Sequence, residues 1–562
     1  MATSEHDVVV IGAGHNGLVA ACYLARAGLN VAVVEAAETI GGMTASGTPI
    51  PAAPHHVVNY CASDLLFWPT SPVGAELGLD RFGLRVLPQD PSYAYLHPDG
   101  ASLAIWRDPR RTAEEIRRFS PADAAAYLDY ARLLDALFDL VFPFMLANPR
   151  RPDRRSAWDL ARAALRHRRR LREFGAFAFA SGEEVIDERF RHPVVQSALH
   201  CLAAGASPID APGSSATHVL LAFLHRAGAV RPVGGMQALP AALAACLAAA
   251  GGRVTTSAPV TEIVVEGGRA TGVALGNGTV LRARRAVLAT CDPRTTLERL
   301  LPDGTLPARL AARARHIPAN ASGAGAMKAD LALAGRLELG RHQRARRDGL
   351  DLRRPAVLVG TPAGNRRAYA RCAAGLLPER DDNPLWLVVT NAVDPSQAPD
   401  GQDSLYVYTP TMPVHPEEGW KDLEGEAADR IVARVARFYD GVADLEIGRW
   451  VETPDLTARR TGATNGCALH VDVTLLRSGG LRPALGFGPG AKPVTGLHLG
   501  GAGSHPGGGV TGLPGRLAAR QILSARRPDP DAAREPDTDS DAAGASGPDL
   551  RSKPPRRRRA SR

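Results

Sequence analysis

Residues 7–28 read DVVVIGAGHNGLVAACYLARAG, and this stretch decides the fold. The apolar run before Gly12 predicts a buried parallel strand, and the alanine-rich run after Gly17 predicts a helix. Between them, Gly12 permits a tight turn, Gly14 lets the backbone approach a diphosphate, and Gly17 lets the helix pack on the strand. The N–H groups and the positive dipole end of that helix then face the phosphates.

A second strand is predicted over residues 30–35, and it ends in Glu35. A carboxylate in this position after a GxGxxG turn accepts hydrogen bonds from the ribose hydroxyls of an adenosine. The order of strand, glycine turn, helix, strand and acid therefore predicts a dinucleotide-binding domain. A glycine-rich turn in an ordinary α/β domain is the alternative, and it leaves Glu35 without a role.

The composition is that of a globular protein with room for two or three domains. The chain has 562 residues, of which 45% are hydrophobic and 22% are charged. Nearly all of the positive charge behind the net charge of +9 is arginine, which we attribute to codon bias because Ala, Gly and Pro are also abundant. We find no zinc finger, aromatic-interleaved basic stripe or RNA-binding signature, so we expect no specific nucleic-acid partner.

The seven cysteines are scattered, odd in number and without a CxxC pair. This pattern predicts a reduced protein with neither structural disulfides nor a metal site. The first predicted strand begins at residue 7, so we expect no cleavable signal, and no apolar run approaches the ~20 residues that span a bilayer. We therefore expect a cytoplasmic protein.

Two more glycine-rich segments are expected to approach the same dinucleotide as the first. Gly41 and Gly42 follow the ribose acid, with Thr44 close behind, and indicate another close approach of the backbone to the dinucleotide. Residues 497–520 read LHLGGAGSHPGGGVTGLPGRLAAR, a short strand, a glycine-dense loop and a helix. Such a loop lets the backbone pass close to a flat or phosphorylated ligand and aims a second helix N-terminus at it. The cofactor-binding residues that we expect in this loop are Gly501, Gly503, Gly509 and Val510.

These segments resemble FAD-dependent flavoproteins of the amine oxidase and phytoene desaturase type. The longest match is the C-terminal motif GAGxHPGGGVxG of the phytoene desaturase-like branch, and the resemblance covers roughly residues 5–525. The segment 232–294 fits the second flavin segment of the family, where the backbone at the position of Val260 meets the adenine. Many members have Arg after the Gly-Gly pair, whereas this chain has Met43.

The resemblance implies an α/β fold in which a Rossmann-like FAD-binding domain is interleaved with an α+β substrate-binding domain. The chain from about residue 525 onward has almost no large apolar residue, so we expect a disordered tail. Its terminal arginine run is expected to be solvated, and the alternative is a contact with anionic lipid or nucleic acid. The expected boundaries are 1–80, 226–299 and 481–525 for the FAD-binding parts, 81–225 (largely helical) and 300–480 for the substrate domain, and 526–562 for the tail.

The resemblance also implies a single FAD, held without a covalent bond. No cysteine lies in the loop 500–512, where covalent amine oxidases attach the flavin, and Cys467 is well upstream. We find no second strand–GxGxxG–helix–acid unit, which argues against a separate NAD(P) domain. The flavin carries the redox chemistry, and the protein supplies orientation and electrostatics.

Two residues are candidates for catalysis. Lys328 resembles, in place, the amine oxidase lysine that holds a water at flavin N5, and the alternative is a surface lysine at the start of a strand. His505 lies beside the flavin if the motif holds, and the alternative is a polar group that shapes the loop. No metal, paired-carboxylate or Ser/His/Asp constellation is readable.

Three functions follow from the resemblance. The first is a dehydrogenase or desaturase that oxidises a C–C or C–N bond of a small, apolar molecule. The second is a flavin amine oxidase that acts on a small metabolite. The third is a non-catalytic module that chaperones prenylated proteins, and the intact glycines at both ends of the FAD site argue against it.

Two further expectations concern helices. Residues 112–147 are predicted to be helical, with a capping box at Thr112 and a kink or end at Pro143. Residues 150–173 are strongly basic with interspersed large apolar residues such as Trp158. That stretch is either a peripheral membrane-surface helix or an exposed arginine-rich face.

Overall fold

The computed structural model describes residues 3–150, 152–205 and 207–525, so the tail 526–562 lies outside the described residues. Strands and helices are mixed along these residues, which confirms the predicted α/β class. The strands are β1 Thr3–Ile11, β2 Val31–Val34, β3 Ser46–Gly47, β4 Val58–Asn59, β5 Val86–Gln89, β6 Tyr93–Leu96, β7 Ser102–Ile105, β8 Ala229–Pro232, β9 Arg253–Thr255, β10 Val260–Glu266, β11 Arg269–Leu275, β12 Val280–Ala289, β13 Ala324–Leu333, β14 Ala356–Val359, β15 Leu385–Val389, β16 Asp403–Pro413, β17 Glu446–Glu452 and β18 Leu497–Leu499. The α-helices are α1 His15–Arg26, α2 Val73–Leu77, α3 Pro109–Arg117, α4 Pro121–Leu146, α5 Arg154–Arg166, α6 Leu171–Phe179, α7 Gly182–Arg189, α8 Pro193–Ala203, α9 Val219–Ala227, α10 Ala238–Ala249, α11 Ala308–Arg315, α12 Gly340–Ala345, α13 Pro362–Ala373, α14 Trp420–Val435, α15 Val442–Leu445, α16 Pro454–Thr461 and α17 Leu513–Ser524.

The first large sheet is built from both ends and the middle of the chain. Its order is β10-β11-β12-β1-β2-β9, and β18 also pairs with β12. The pairs β12–β1, β1–β2, β2–β9 and β12–β18 are parallel, as in a Rossmann-type domain. Helices α1, α10 and α17 bury their apolar side chains against this sheet in one core cluster.

The second large sheet has the order β17-β13-β16-β15-β14-β6-β7. One face is apolar and shares a core with α14, where residues such as Val407 and Ile431 are buried. The opposite face carries aromatic and charged side chains. In this arrangement the FAD-binding segments alternate along the chain with the segments of the second sheet, as the resemblance implied. The residue boundaries of the domains stay a prediction.

The helical stretch predicted over 112–147 is two helices, and its predicted start is wrong. Helix α3 begins at Pro109, because the Asp108 carboxylate caps it by accepting from the backbone N–H of Arg110. Thr112 lies inside α3, where its hydroxyl oxygen accepts from the backbone N–H of Trp106 at 2.9 Å. Pro143 lies inside α4, which continues to Leu146.

Three further expectations concern the cysteines, the absence of a membrane span and the basic stretch 150–173. All seven cysteines are free thiols. Among the described helices, none combines the length and the apolar character that a membrane span requires. The basic stretch forms α5, a short 3-10 turn at 168–170 and the start of α6.

Candidate functional site

The first glycine turn has little room for side chains. Gly12 has φ +97°, and a Cβ built on Gly17 would lie 2.1 Å from the Gly12 carbonyl oxygen. Gly14 differs, since the nearest atom to its built Cβ is the Gly41 oxygen at 4.0 Å. The turn therefore packs tightly where α1 meets β1 and is open at Gly14, where a phosphate can approach.

The acid at the end of β2 is held across this turn. One Glu35 carboxylate oxygen accepts from the backbone N–H of Ala13 at 2.7 Å, and the other accepts from that of Ala37 at 3.0 Å. The backbone N–H of Ala258 donates to the Glu35 carbonyl at 2.8 Å. Val260 begins β10 two residues later, so it lies at the same end of the sheet as Glu35.

The Gly-Gly pair lies directly against the first turn. The Gly41 N–H donates to the Ala13 carbonyl at 3.0 Å, and Gly41 forms a bridge with Gly14. Thr44 is fully buried, and its hydroxyl donates to the Gly41 carbonyl at 2.8 Å. In the described structure Thr44 therefore closes the turn. The second glycine is contacted by a distant cation, since Arg460 Nη1 donates to the Gly42 carbonyl at 3.1 Å.

The C-terminal glycine loop packs onto the end of β12, and the helix that follows it packs onto α1. A Cβ built on Gly501 would lie 2.2 Å from the Thr290 carbonyl oxygen, and one built on Gly515 would lie 2.0 Å from the Asn16 carbonyl oxygen. Helix α17 therefore crosses α1 at backbone contact, which places its N-terminus near that of α1. The loop is tight elsewhere: built Cβ atoms on Gly503 and Gly509 would lie 2.3 Å from Pro293 Cγ and 2.6 Å from Phe67 Cδ2.

Val510 adopts a left-handed backbone conformation at the start of α17. Its φ is +56° although its side chain is β-branched, and it is buried. A β-branched residue in this region is strained by about 1–3 kcal/mol and is held there by its surroundings. Such strain clusters at ligand sites, in agreement with the position of Val510 between the glycine loop and the helix N-terminus.

A buried arginine ties this loop to its neighbour. Arg482 is 2% exposed, and among the described residues its guanidinium donates only to backbone carbonyls. The acceptors include those of Leu469, Val471 and Ala502, each at 3.0 Å. Burial lowers the pKa of Arg482 to about 10. The guanidinium therefore fixes the glycine loop against the segment 469–472, which carries His470.

Several buried polar atoms around these segments lack a hydrogen-bond partner among the described residues. They are His15 Nε2, Asn16 Oδ1, His470 Nδ1, Arg482 Nε and His505 Nδ1. Burying such atoms unpaired costs about 1–3 kcal/mol each, so a group that bonds to them is expected. The set surrounds the N-terminus of α1 and the C-terminal loop, and it fits a ligand with phosphate and hydroxyl groups.

His505 is held by α4. Its Nε2 donates to the Phe144 carbonyl at 3.0 Å, which leaves Nδ1 as the acceptor nitrogen. Burial lowers the pKa of His505 to about 4. A neutral imidazole with one free acceptor nitrogen can bind a donor on a ligand, and it can equally shape the loop.

Lys328 lies in the middle of β13, so the expectation that it opens a strand is wrong. It is 3% exposed, and its ammonium donates to the Asn59 carbonyl at 2.6 Å and pairs with Asp330 at 2.8 Å. The nitrogen also lies 3.3 Å from the centre of the Tyr406 ring. Burial lowers the pKa of Lys328 and raises the pKa of Asp330 to about 6.

The aromatic side chains near Lys328 share one face of the second sheet. Trp386 and Tyr408 are cross-strand partners with rings stacked at 5.2 Å, and Tyr408 is also the register partner of Lys328. Tyr93 on β6 contacts the same cluster. Tyr93, Trp386 and Tyr408 are only partly buried, in contrast to the closed core on the opposite face.

These features define a Rossmann-type protein that binds one dinucleotide with segments from both ends of the chain. The family model for flavin containing amine oxidoreductases matches residues 17–523. The chain therefore belongs to this family, its cofactor is FAD, and it is an FAD-dependent oxidoreductase. The residues present fit FAD, since the open backbone at Gly14, the acid Glu35 and the unpartnered polar atoms match its diphosphate and ribose.

Comparison with individual proteins agrees with the family. The chain is 28% identical to the pyridine nucleotide-disulfide oxidoreductase domain-containing protein 2 of Mus musculus, over 92% of this chain and 93% of that protein. It is 27% identical to the neurosporene-forming phytoene desaturase of Rhodobacter capsulatus, over 93% and 95%. The fold resembles that of cyclohexylamine oxidase from Brevibacterium oxydans, with a TM-score of 0.56, 17% identity and coverage of 92% and 99%.

Several residues of the site were not predicted from the sequence. The GxGxxG pattern gives roles to its glycines and none to His15. No local sequence pattern gives a role to His470, Arg482 or Arg460. The sequence signal that could have identified His470 and Arg482 is their position in a segment that matches the family.

Proposed function

We propose that this flavoenzyme is a desaturase or dehydrogenase that oxidises a C–C bond of an apolar small molecule. When bound, FAD supplies the two-electron oxidation chemistry. The protein binds and orients the substrate and excludes water from it. The observation that carries this proposal is the aromatic face formed by Tyr93, Trp386 and Tyr408, which is only partly covered.

The Lys328 ammonium, which lies beside this face, favours an apolar substrate over an amine. A cage for an ammonium group needs open aromatic rings, since the cation is attracted to the ring face. The face of Tyr406 already contacts the ammonium of Lys328 at 3.3 Å, and the rings of Trp386 and Tyr408 stack on each other. Amine oxidation, the alternative, therefore has less support at this site.

We expect a polyene such as phytoene to bleach the flavin of the purified protein under anaerobic conditions, and cyclohexylamine not to. Replacing Tyr408 with Asp puts a charge on the aromatic face. The substitution is therefore expected to slow flavin bleaching by a polyene at least tenfold, which corresponds to a rise of about 1.4 kcal/mol in the activation free energy. Tyr408→Phe is the matched control, because it keeps the ring. Bleaching by the amine alone would contradict the proposal and favour the amine oxidase alternative.

We further propose that FAD is held without a covalent bond and that Lys328 and His505 act at the flavin. The described loop 500–512 contains no cysteine, which supports the first point. The unpartnered Nδ1 of His505 and the burial of Lys328 beside the aromatic face support the second. Both catalytic roles stay predictions.

We propose that the region around α5 and α6 contacts an anionic membrane surface, from which an apolar substrate can enter. Trp158 and Phe179 are 69% and 71% exposed, and the segment between them carries arginine at positions 162, 166, 168, 169, 170 and 172. The exposed side chains of Leu475, Leu476 and Leu481 belong to a segment that passes close to Arg150, since the built Cβ of Gly480 is 3.7 Å from Arg150 Cγ. Exposed large apolar side chains within a basic surface are typical of helices that bind anionic lipid.

We expect the full-length protein to sediment with phosphatidylglycerol vesicles and much less with phosphatidylcholine vesicles. The double variant Trp158→Ala/Leu165→Ala is expected to lower the bound fraction severalfold, because both side chains are exposed on α5. The matched control is Leu376→Ala, which removes an exposed apolar side chain elsewhere. Equal sedimentation of the double variant and the control would contradict the proposal, and a self-association that depends on Trp158 would point to a second copy as the partner.

A further inference from the structure

We propose that Arg460 is a cofactor-binding residue, and that its guanidinium donates to the diphosphate of bound FAD beside the Gly41–Gly42 turn. The proposal rests on the FAD site described above and is independent of the substrate. Residues 12–17 and 41–44, which form the first turn and the Gly-Gly pair, contain neither lysine nor arginine. A diphosphate carries more negative charge than the roughly half positive charge of a helix N-terminus can balance. A cation from elsewhere in the chain is therefore expected here.

Arg460 brings a positive charge to this place. Its Nη1 donates to the Gly42 carbonyl at 3.1 Å. Gly42 lies against the first turn, since its built Cβ is 3.7 Å from the Cα of Gly14, where the backbone is open to a phosphate. Within the described part of the chain, Arg460 is the one arginine or lysine whose side chain hydrogen-bonds to residues 12–17 or 41–44. The guanidinium thus lies on the Gly42 side of the opening.

Two further contacts hold the guanidinium in position. Its Nε and Nη2 donate to the two carboxylate oxygens of Glu452 at 2.8 and 2.7 Å, which is a bidentate pair. Glu452 is 3% exposed, and it also accepts from the hydroxyl of Thr457 at 2.8 Å. The guanidinium carbon of Arg460 lies 5.3 Å from the centre of the Tyr60 ring. The cation is therefore preorganised before a ligand binds, which lowers the entropic cost of binding.

The guanidinium still has donors to offer. Its three hydrogen bonds use three of the five N–H groups, so one N–H on Nη1 and one on Nη2 have no partner among the described residues. The Arg460 side chain is 26% exposed, so a ligand can reach it. Because Nε and Nη2 bind Glu452 while Nη1 binds Gly42, a phosphate on the Gly42 side meets N–H groups before it meets the carboxylate. The planar fork of arginine suits a phosphate group.

The helix that carries Arg460 is fixed to the second sheet. Its first residue, Pro454, packs on β13, since a Cβ built on Gly325 would lie 3.1 Å from the Pro454 side chain. Glu452 is the last residue of β17 and the register partner of Lys328. Arg460 therefore connects the Gly-Gly turn of the FAD site with the sheet that carries Lys328. A cation on a rigid element can be held in one place for the ligand.

The test is the dissociation constant of FAD from the full-length protein, measured by the change of flavin fluorescence on binding. The double variant Arg460→Gln/Glu452→Gln removes the cation together with its buried partner, so that no uncompensated carboxylate remains. We expect its dissociation constant for FAD to rise about ten- to a hundredfold. Glu452→Gln alone keeps the cation and removes the negative charge behind it. Its FAD binding is therefore expected to be as tight as in the wild type, or tighter.

ADP is the second probe, because it has the diphosphate and lacks the flavin ring. In calorimetric titrations of the FAD-free full-length protein, the double variant should lose affinity for ADP by the same factor as for FAD. The matched control is Arg449→Gln/Glu446→Gln, which removes another bidentate pair on β17, with distances of 2.6 and 2.8 Å. The control should keep both wild-type constants. Circular dichroism verifies that each variant is folded.

Three results would overturn the proposal. The first is an unchanged dissociation constant for FAD in the double variant. The second is equal weakening in Glu452→Gln and the double variant, which would mean that the pair only shapes the turn. The third is a loss of affinity for FAD without a loss for ADP, which would place the guanidinium at the flavin ring. If the double variant does not fold, Arg460→Lys decides, because it keeps the charge and loses the fork: severalfold weaker binding of FAD and ADP supports the proposal, and unchanged binding contradicts it.

Discussion

Replacing Gly17 with alanine is expected to lower the thermal stability of the protein and to abolish its retention of FAD. The added methyl group would lie 2.1 Å from the Gly12 carbonyl oxygen and 2.7 Å from Thr290 Oγ1. The first of these atoms belongs to the backbone of the turn, so the overlap is relieved only if α1 moves away from β1. We expect a cost of about 2–4 kcal/mol, at the upper end for overpacking. Thermal unfolding and the flavin-to-protein ratio measure both effects.

Gly425→Ala is the matched control for that substitution. Gly425 lies in the exposed part of α14, and a Cβ built there meets no atom within 4 Å. Alanine is the better helix former, so the control is expected to gain about 1 kcal/mol and to keep its FAD. If Gly17→Ala kept a full complement of FAD, the role assigned to the first turn would be wrong.

The parts of the site that could be predicted from the sequence are local. The turn from Gly12 to Gly17, the acid Glu35 and the C-terminal loop each have a short pattern whose spacing follows from one physical requirement. Their order along the chain also predicted one sheet built from several segments, and the parallel pairing of β12 with both β1 and β18 confirms that architecture.

The parts that could not be predicted depend on contacts between distant residues. Arg460 reaches the Gly42 carbonyl from 418 positions further along the chain, next to Met43. No local periodicity marks such a contact. The sequence predicts that Lys328 opens a strand just after the segment 323–327, whereas β13 already begins at Ala324. Gly325 is instead part of β13, where a built Cβ would meet Pro454 at 3.1 Å, so its small size serves packing.

Replacing Lys328 with methionine is expected to cost about 3–5 kcal/mol near neutral pH, because it leaves the Asp330 carboxylate buried without its cation. Burial already raises the pKa of Asp330 to about 6 beside Lys328, and loss of the cation raises it further. A raised pKa in the folded state means that stability falls as pH rises through that pKa. The deficit of the variant should therefore be largest at alkaline pH and should shrink on acidification. Urea unfolding at several pH values measures it.

The double variant Lys328→Met/Asp330→Asn separates charge pairing from catalysis. The amide introduced by Asp330→Asn keeps an oxygen for the backbone N–H of Val407, from which the Asp330 carboxylate accepts at 2.8 Å. The same substitution removes the buried charge, so most of the lost stability should return. If Lys328 acts at the flavin, the stable double variant still shows slow flavin reduction by substrate and slow reoxidation by oxygen. Wild-type rates in the double variant would mean that Lys328 serves only to neutralise Asp330, and the predicted catalytic role would be wrong.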